Sequence, residues 1–205
     1  MHPKNLGEGK EASMIFSLQR GRTRLVIKEW AEDQVITLRQ VHSSEVHFIN
    51  SPVVNLEGDV LITQRKGLRI GVRTADCVPL ALLGEGTVAI IHAGWRGLKE
   101  DIVEKTLRKI RELEPLDNFL AFVGPSAKAC CYEVGKEFEN FFTSLYYRNK
   151  SLYMDTQEEA LVRLLKGGIK HFYLYKTCTI CHDSLPSHRR NKTTERLLTY
   201  AEILI

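Results

Sequence analysis

Hydrophobic and polar positions follow two rhythms along this chain. In the first part, short runs rich in β-branched residues at 14–18, 24–30, 35–39 and 46–49 are separated by brief polar breaks. That pattern predicts strands joined as hairpins or a meander. A second apolar group follows at 69–72, 80–83 and 88–91, and its last run leads directly into His92-Ala93-Gly94-Trp95-Arg96-Gly97. A strand that ends in Gly-flanked polar residues and opens a helix is a common place for chemistry.

The period then changes. Leu98, Ile102, Val103, Leu107, Ile110 and Leu113 fall on one helical face with Lys and Glu opposite, and Pro115 follows the end. Residues 119–123 read as a buried strand stopped by Gly124-Pro125. A second amphipathic helix is predicted over 135–146, with Val134, Phe138, Phe141, Phe142 and Leu145 on its inner face. A third begins at Thr156, where Thr156-x-x-Glu159 has the form of a capping box, and ends at Gly167-Gly168. Residues 169–175 return to a strand pattern. With no repeat, linker or low-complexity segment, the expectation is one α/β domain over residues 1–205, built of mixed β-sheets flanked by helices, with 1–12 as a flexible N-terminal extension.

Composition narrows the class. The chain has 205 residues, 43% of them hydrophobic, enough to bury a sizeable core without crosslinks. No apolar run approaches the length of a membrane span. Basic residues outnumber acidic ones by 29 to 25, but they are spread along the chain, which argues against a nucleic-acid partner. The local concentration His188-Arg189-Arg190-Asn191-Lys192 better suits a small anion. Five cysteines, Cys77, Cys130, Cys131, Cys178 and Cys181, are an odd number, and residues 1–20 lack the apolar core of a signal peptide. A cytoplasmic chain with reduced thiols is therefore expected. Cys178-Thr179-Ile180-Cys181-His182 matches the short pattern of c-type haem attachment, which normally follows export; structural packing is the expectation there, with thiol-redox chemistry or a second metal as alternatives. Packing is likewise expected for the adjacent Cys130-Cys131 pair.

Three segments place metal-capable side chains at strand ends beside Gly or Pro: Gln40-Val41-His42-Ser43, Ala75-Asp76-Cys77-Val78-Pro79 and the segment beginning at His92. Two histidines and a cysteine make a three-ligand zinc set with an open fourth position, as catalytic zinc requires. Taken singly, each also fits a structural role, as a core imidazole with a backbone partner or a small buried thiol.

Further motifs surround these in a fixed order. They are Gly58-Asp59-Val60-Leu61-Ile62-Thr63, Thr74-Ala75-Asp76-Cys77-Val78-Pro79, His92-Ala93-Gly94-Trp95-Arg96-Gly97-Leu98, Val123-Gly124-Pro125, Cys131-Tyr132-Glu133-Val134-Gly135, and Cys178-Thr179 followed by Ser187-His188-Arg189-Arg190. In this order the chain resembles the YfiH/YlmD-type family over roughly residues 12–205, a family labelled polyphenol oxidase or laccase-like and also purine nucleoside phosphorylase. The resemblance implies a layered α/β sandwich and assigns His42, Cys77 and His92 to the zinc and catalytic positions. Arg96, at a strand-to-helix turn, and Arg189 and Arg190 are the candidate contacts for phosphate or ribose. The sequence departs from the family pattern at Asp101, where Gly is usual, at Leu185-Pro186, which replaces an aromatic pair, at Asn191 instead of Asp, and at Glu195 instead of Gly.

The implied activity is phosphorolysis of adenosine or inosine, with methylthioadenosine as a further substrate and adenosine deamination as a second reaction. Purine nucleosides and phosphate are then the partners, with Asp76 and Glu133 as candidates for protonating the departing base. Three alternatives stand beside it. The first is copper-dependent phenol oxidation, although none of the seven histidines forms the His-x-His pair usual in multicopper sites, so that Cu2+ would occupy the same triad. The second is metal-free cysteine hydrolysis by Cys77 with His92 as base. The third is a non-enzymatic metal-binding protein linked to cell-envelope assembly.

Overall fold

Two seven-residue strands, β1 (Met14–Arg20) and β2 (Thr23–Glu29), form the first predicted hairpin, with Gly21 at φ +53° in the tight turn between them. In this computed structural model the described residues are 13–30 and 34–205, so the expected N-terminal extension lies outside them. The meander stops after the hairpin. β3 (Ile36–Thr37) and β4 (Val46–Phe48) do not pair with each other: β4 runs parallel to β5 (Val60–Thr63), and β3 runs parallel to β6 (Ile70–Thr74).

β7 (Val78–Leu83) and β8 (Val88–Ala93) form an antiparallel pair in which every residue is buried. Helices α1 (Trp95–Lys99) and α2 (Ile102–Arg111) follow, then β9 (Leu120–Val123), β10 (Glu133–Val134), β11 (Leu145–Arg148) and β12 (Ser151–Met154). The chain continues through α3 (Thr156–Lys166), β13 (His171–Leu174), the single turn α4 (His188–Asn191) and β14 (Leu197–Ile203).

These strands make a five-stranded sheet in the order β1-β2-β14-β6-β3, a six-stranded sheet in the order β13-β9-β7-β8-β5-β4, and a small sheet β10-β12-β11. The period of two along β7 and β8 explains the layering. Leu80, Leu82, Ala89 and Ile91 face one core with Ile102, Val103, Leu107 and Ile110 of α2, while Ala81, Leu83, Val88 and Ile90 face a second core with Leu25, Ile27, Ile70 and Leu197 of the five-stranded sheet. A strand buried on both faces reads as a continuous apolar run, as these do. Each fully buried Leu or Ile contributes about 1.5–3 kcal/mol. The result is the mixed α/β layered sandwich expected. Among the described residues no helix is long and apolar enough to cross a membrane.

Four local expectations are corrected. The helix after His92 is two, because Asp101 adopts a left-handed conformation at φ 61° between α1 and α2. Asp101 stands where Gly is usual, and an ion pair at 3.2 Å with Arg163 offsets part of the cost of that conformation. The cap of α3 is Asp155, whose carboxylate accepts from the Glu158 N–H at 3.0 Å, so Thr156 and Glu159 do not form a capping box. Glu159 instead accepts from the backbone N–H groups of Thr143 and Ser144 at 2.9 and 3.0 Å. Those two amides are thereby withdrawn from helical bonding, and the expected helix over 135–146 reduces to a 3-10 turn, Lys136–Asn140, followed by β11. Finally, Cys131 and Cys181 are joined in a disulfide where reduced, packing thiols were expected. A bridge between Ser126 and Cys178 and the Thr179 N–H bond to the Ser126 carbonyl, at 3.0 Å, bring their two loops together.

A His-Cys-His cluster in a cationic cavity

Asp59 sits at the head of β5 and is completely buried. Its carboxylate gathers the site. One oxygen accepts from the His42 N–H at 3.1 Å and lies 2.7 Å from His92 Nδ1; the other accepts from Val41 and Ser43 N–H at 3.3 and 2.7 Å and from the Ser43 hydroxyl at 2.9 Å. The parallel pairing of β4 with β5 brings residues 41–43 to this carboxylate, and His92 arrives from the neighbouring strand β8, its N–H on the Asp59 carbonyl at 2.8 Å. His42 takes a left-handed conformation at φ 60°, which the Asp59 bonds sustain.

Cys77 lies in the turn between β6 and β7, just after Asp76 at φ 87°. The Asp76 carboxylate accepts from the Thr179 hydroxyl and from the Arg189 N–H, each at 2.7 Å, and so fixes the cysteine turn to the C-terminal segment. Gly94 leaves the remaining space: a Cβ there would lie 2.9 Å from Cys77 Sγ and 3.0 Å from His42 Cδ2.

The ligand atoms of His42, Cys77 and His92 converge within 4.8 Å of one another, and the two imidazole rings meet edge to face with centroids 4.8 Å apart. Burial disfavours a thiolate at Cys77, yet the adjacent His92 and hydrogen bonds from both histidines outweigh it and hold the thiol down to about 6. Burial also opposes charge on His92, but the Cys77 sulfur and the Asp59 carboxylate overcome it and raise His92 to about 9. Asp59 is itself held below its ordinary value: burial pushes it up, and His92 and Ser43 more than reverse this. Two nitrogens and a thiol whose ionisation the neighbouring histidines favour, with a carboxylate fixing the second nitrogen of one imidazole, are the donor set and support that a catalytic zinc uses. A metal ion would take the place of the proton that the Cys77–His92 pair otherwise shares.

The cluster lines a cavity of about 700 Å3 together with Gln40, Arg73, Trp95, Arg96, Tyr132 and Arg189 among others, and Lys192 and Arg196 line it as well. Arg96 stacks on Trp95 at 4.5 Å, and Arg189 lies 4.6 Å over the Tyr132 ring while donating to the Glu133 carbonyl at 2.9 Å. Arg190, expected beside Arg189 as a substrate contact, turns away from the cavity. Its guanidinium donates to the carbonyls of Thr179, Ile180, His182 and Leu185 at 2.7–3.2 Å and ties the loop 179–185 together. Glu133 is exposed and does not line the cavity, and the Asp76 carboxylate is engaged as described.

Asp59, Arg73 and Arg196 were not among the sequence candidates. An acidic residue heading the apolar run Val60-Leu61-Ile62 is the one local signal that marks Asp59. Nothing local marks the two arginines, because distant strands bring them to the cavity.

The chain is 46% identical over 207 residues to a purine nucleoside phosphorylase of Aquifex aeolicus (strain VF5), covering all of both chains. It is 36% identical over 128 residues to adenosine deaminase RL5 from an unknown prokaryotic organism, covering 56% of this chain and 49% of that protein. The structure of YlmD from Geobacillus stearothermophilus shares the fold, with a TM-score of 0.75 at 24% identity, over 84% of this chain and 74% of that one. Residues 16–203 match the family model described as multi-copper polyphenol oxidoreductase laccase, and the chain belongs to that family, the one in which YfiH and YlmD fall.

Proposed function

We propose that this protein is a purine nucleoside phosphorylase. A phosphate oxygen attacks C1′ of adenosine or inosine as the C1′–N9 bond breaks, giving ribose 1-phosphate and the free purine, which gains a proton. The observation that carries this reading is the joining of the His42–Cys77–His92 cluster to a cavity whose wall is cationic at Arg73, Arg96, Arg189, Lys192 and Arg196. The name of the Aquifex relative supports it.

The chain's own residues have two tasks in such a reaction. One is to bind an anionic nucleophile and hold it in line with the anomeric carbon, which converts a bimolecular encounter into an oriented one. Arg96 and Arg189 are suited to it, because both line the cavity and stacking on Trp95 and Tyr132 restricts each guanidinium, although one Arg189 nitrogen is spent on the Glu133 carbonyl. The other is to stabilise negative charge on the departing base. Arg190 acts as a positioning residue by holding the loop that leads to Arg189. A zinc ion held by His42, Cys77 and His92 would supply Lewis acidity toward a phosphate or substrate oxygen, or toward water for adenosine deamination; deamination is the activity named for the RL5 relative. Methylthioadenosine belongs to the same substrate class.

Phenol oxidation at a multicopper centre fits less well. Among the described residues, a single cluster of potential ligands contains imidazoles, and it offers donors for one ion. The test is incubation of the purified chain with adenosine or inosine, with and without phosphate, followed by chromatography. Adenine or hypoxanthine formed only with phosphate is the expected result, inosine from adenosine reveals deamination, and no product of either kind refutes the proposal. Full activity in metal-stripped protein would point instead to Cys77 as a nucleophile.

A further inference from the structure

The remaining four cysteines form a second cluster. Cys130 and Cys131 precede β10, and Cys178 and Cys181 lie in the turn after β13; all four sulfurs fall within 4.8 Å of one another. Cys131 and Cys181 share the disulfide, Cys130 Sγ lies 3.2 Å from Cys181 Sγ, and Cys178 is buried beneath. A disulfide needs two sulfurs and gives no reason for two more thiols to converge on it from separate loops. A tetrahedral thiolate site does. Zinc–sulfur bonds of about 2.3 Å give sulfur–sulfur edges of about 3.8 Å, which four sulfurs within 4.8 Å can adopt with small side-chain rotations.

We infer that Cys130, Cys131, Cys178 and Cys181 form a structural site for a soft divalent cation, zinc above all, separate from the His42–Cys77–His92 cluster. Cys178-Thr179-Ile180-Cys181 has the Cys-x-x-Cys spacing of a zinc knuckle, and the adjacent pair 130–131 supplies the other two ligands from the facing loop. Binding converts four thiols and Zn2+ into a tetrathiolate complex of charge −2 and releases four protons. Two guanidinium groups already sit on the backbones of these loops: Arg148 donates to the Cys130 carbonyl at 3.0 Å, and Arg190 donates to the Thr179 and Ile180 carbonyls between the knuckle cysteines at 3.0 and 3.2 Å. They offset the negative charge of the complex. Both loops continue into the cavity wall, since Tyr132 follows Cys131 and Thr179 binds Asp76 beside Cys77. The metal would therefore fix the wall on which Arg189 stacks.

The disulfide is the two-electron oxidised form of the same cluster. A phosphine reductant opens it by taking up the oxygen of a water molecule and leaving two thiols. The test uses the full chain purified under such a reductant and loaded with zinc or cobalt. Wild type is expected to hold two zinc ions per chain, and the double variant Cys178→Ser, Cys181→Ser one. The Cys77→Ala variant, which removes the other thiolate ligand, should retain one zinc with four sulfur neighbours by X-ray absorption, and its cobalt form should show the charge-transfer intensity of four thiolates. Fewer than four sulfurs around that zinc, or a zinc count unchanged by Cys178→Ser, Cys181→Ser, overturns the inference. So does a reduced wild type whose single ion is kept by Cys178→Ser, Cys181→Ser and lost in Cys77→Ala. If Cys77→Ala fails to fold, the wild-type count and the double variant still decide.

Discussion

Replacing Asp59 by Asn keeps the shape of the side chain and removes its charge. One face of the new amide carries N–H groups where the carboxylate had only acceptors, so at least one of the donors on it, the N–H groups of Val41, His42 and Ser43 or the Ser43 hydroxyl, meets another donor. An unsatisfied buried donor costs about 1–3 kcal/mol, and each remaining bond falls from the charged range of about 1.5–3 to the neutral range of about 0.5–1.5 kcal/mol. Together the expected loss of stability is about 3–5 kcal/mol, the range seen when one partner of a buried ion pair is removed. His92 suffers a second effect. Nδ1 now faces an amide, which no longer favours the tautomer that leaves the other nitrogen free for a metal. Urea unfolding and a competitive zinc titration measure the two effects separately, and zinc affinity should fall about 10–100-fold. A variant within about 0.5 kcal/mol of wild type, the ordinary range for surface changes, and with unchanged zinc affinity, would show that Asp59 does not organise the site.

Other expectations are equally direct. Gly94→Ala places a Cβ against Cys77 Sγ and His42 Cδ2; overpacking of about 1–3 kcal/mol at that point should lower Tm by about 2–10 °C and weaken zinc binding roughly 10–100-fold, and a variant with full zinc affinity would contradict the packing described. Glu159 is held below its ordinary value of 4.5: burial opposes this, and the Thr143 and Ser144 amides and Arg163 prevail. A depressed carboxylate stabilises above its unfolded value and loses that contribution as pH falls through the folded one. Glu159→Gln should therefore be less stable than wild type near neutrality, with the gap closing below about pH 4.5, and a constant gap across that range excludes the linkage. Arg190→Lys keeps the charge but cannot span four carbonyls. Limited proteolysis should then cut within 179–185 and KM for phosphate should rise with kcat less affected; an unchanged digestion pattern would show that the guanidinium does not hold the loop.

Legibility in the sequence followed the locality of the cause. Strands β7, β8 and β9 announce themselves because burial on two faces requires unbroken apolar runs, and the face of α2 follows from its own period. The segment 135–146 misleads for a reason outside itself: Phe138 and Phe142 are buried at helical spacing, but a carboxylate on α3 takes the amides that a helix would need. β14 goes unrecognised despite seven buried residues, since its place in the sheet depends on partners far away in sequence. The site divides the same way. His42, Cys77 and His92 carry chemistry in their own side chains, His92 at the end of β8, Cys77 in the turn before β7 and His42 in the loop between β3 and β4 rather than at the strand end expected, whereas Asp59 acts through geometry that exists only once β4, β5 and β8 are aligned. Arg189 and Arg190 look alike in sequence, and only the fold separates a cavity-facing guanidinium from one enclosed by carbonyls.

The position of β14 has a consequence for how the chain is made. It lies between β2 and β6 and pairs antiparallel with both, yet it is synthesised after every other strand of its sheet. Until it emerges from the ribosome, β2 and β6 each present an unpaired edge, and Leu25, Ile27, Ile70 and Val72 lack part of their cover. A nascent chain paused before residue 197 thus holds an open, apolar slot shaped for a single strand, and a second nascent chain on the same message offers the same slot. The five-stranded sheet therefore closes only when the last strand is in place, and its apolar face stays incompletely covered until then.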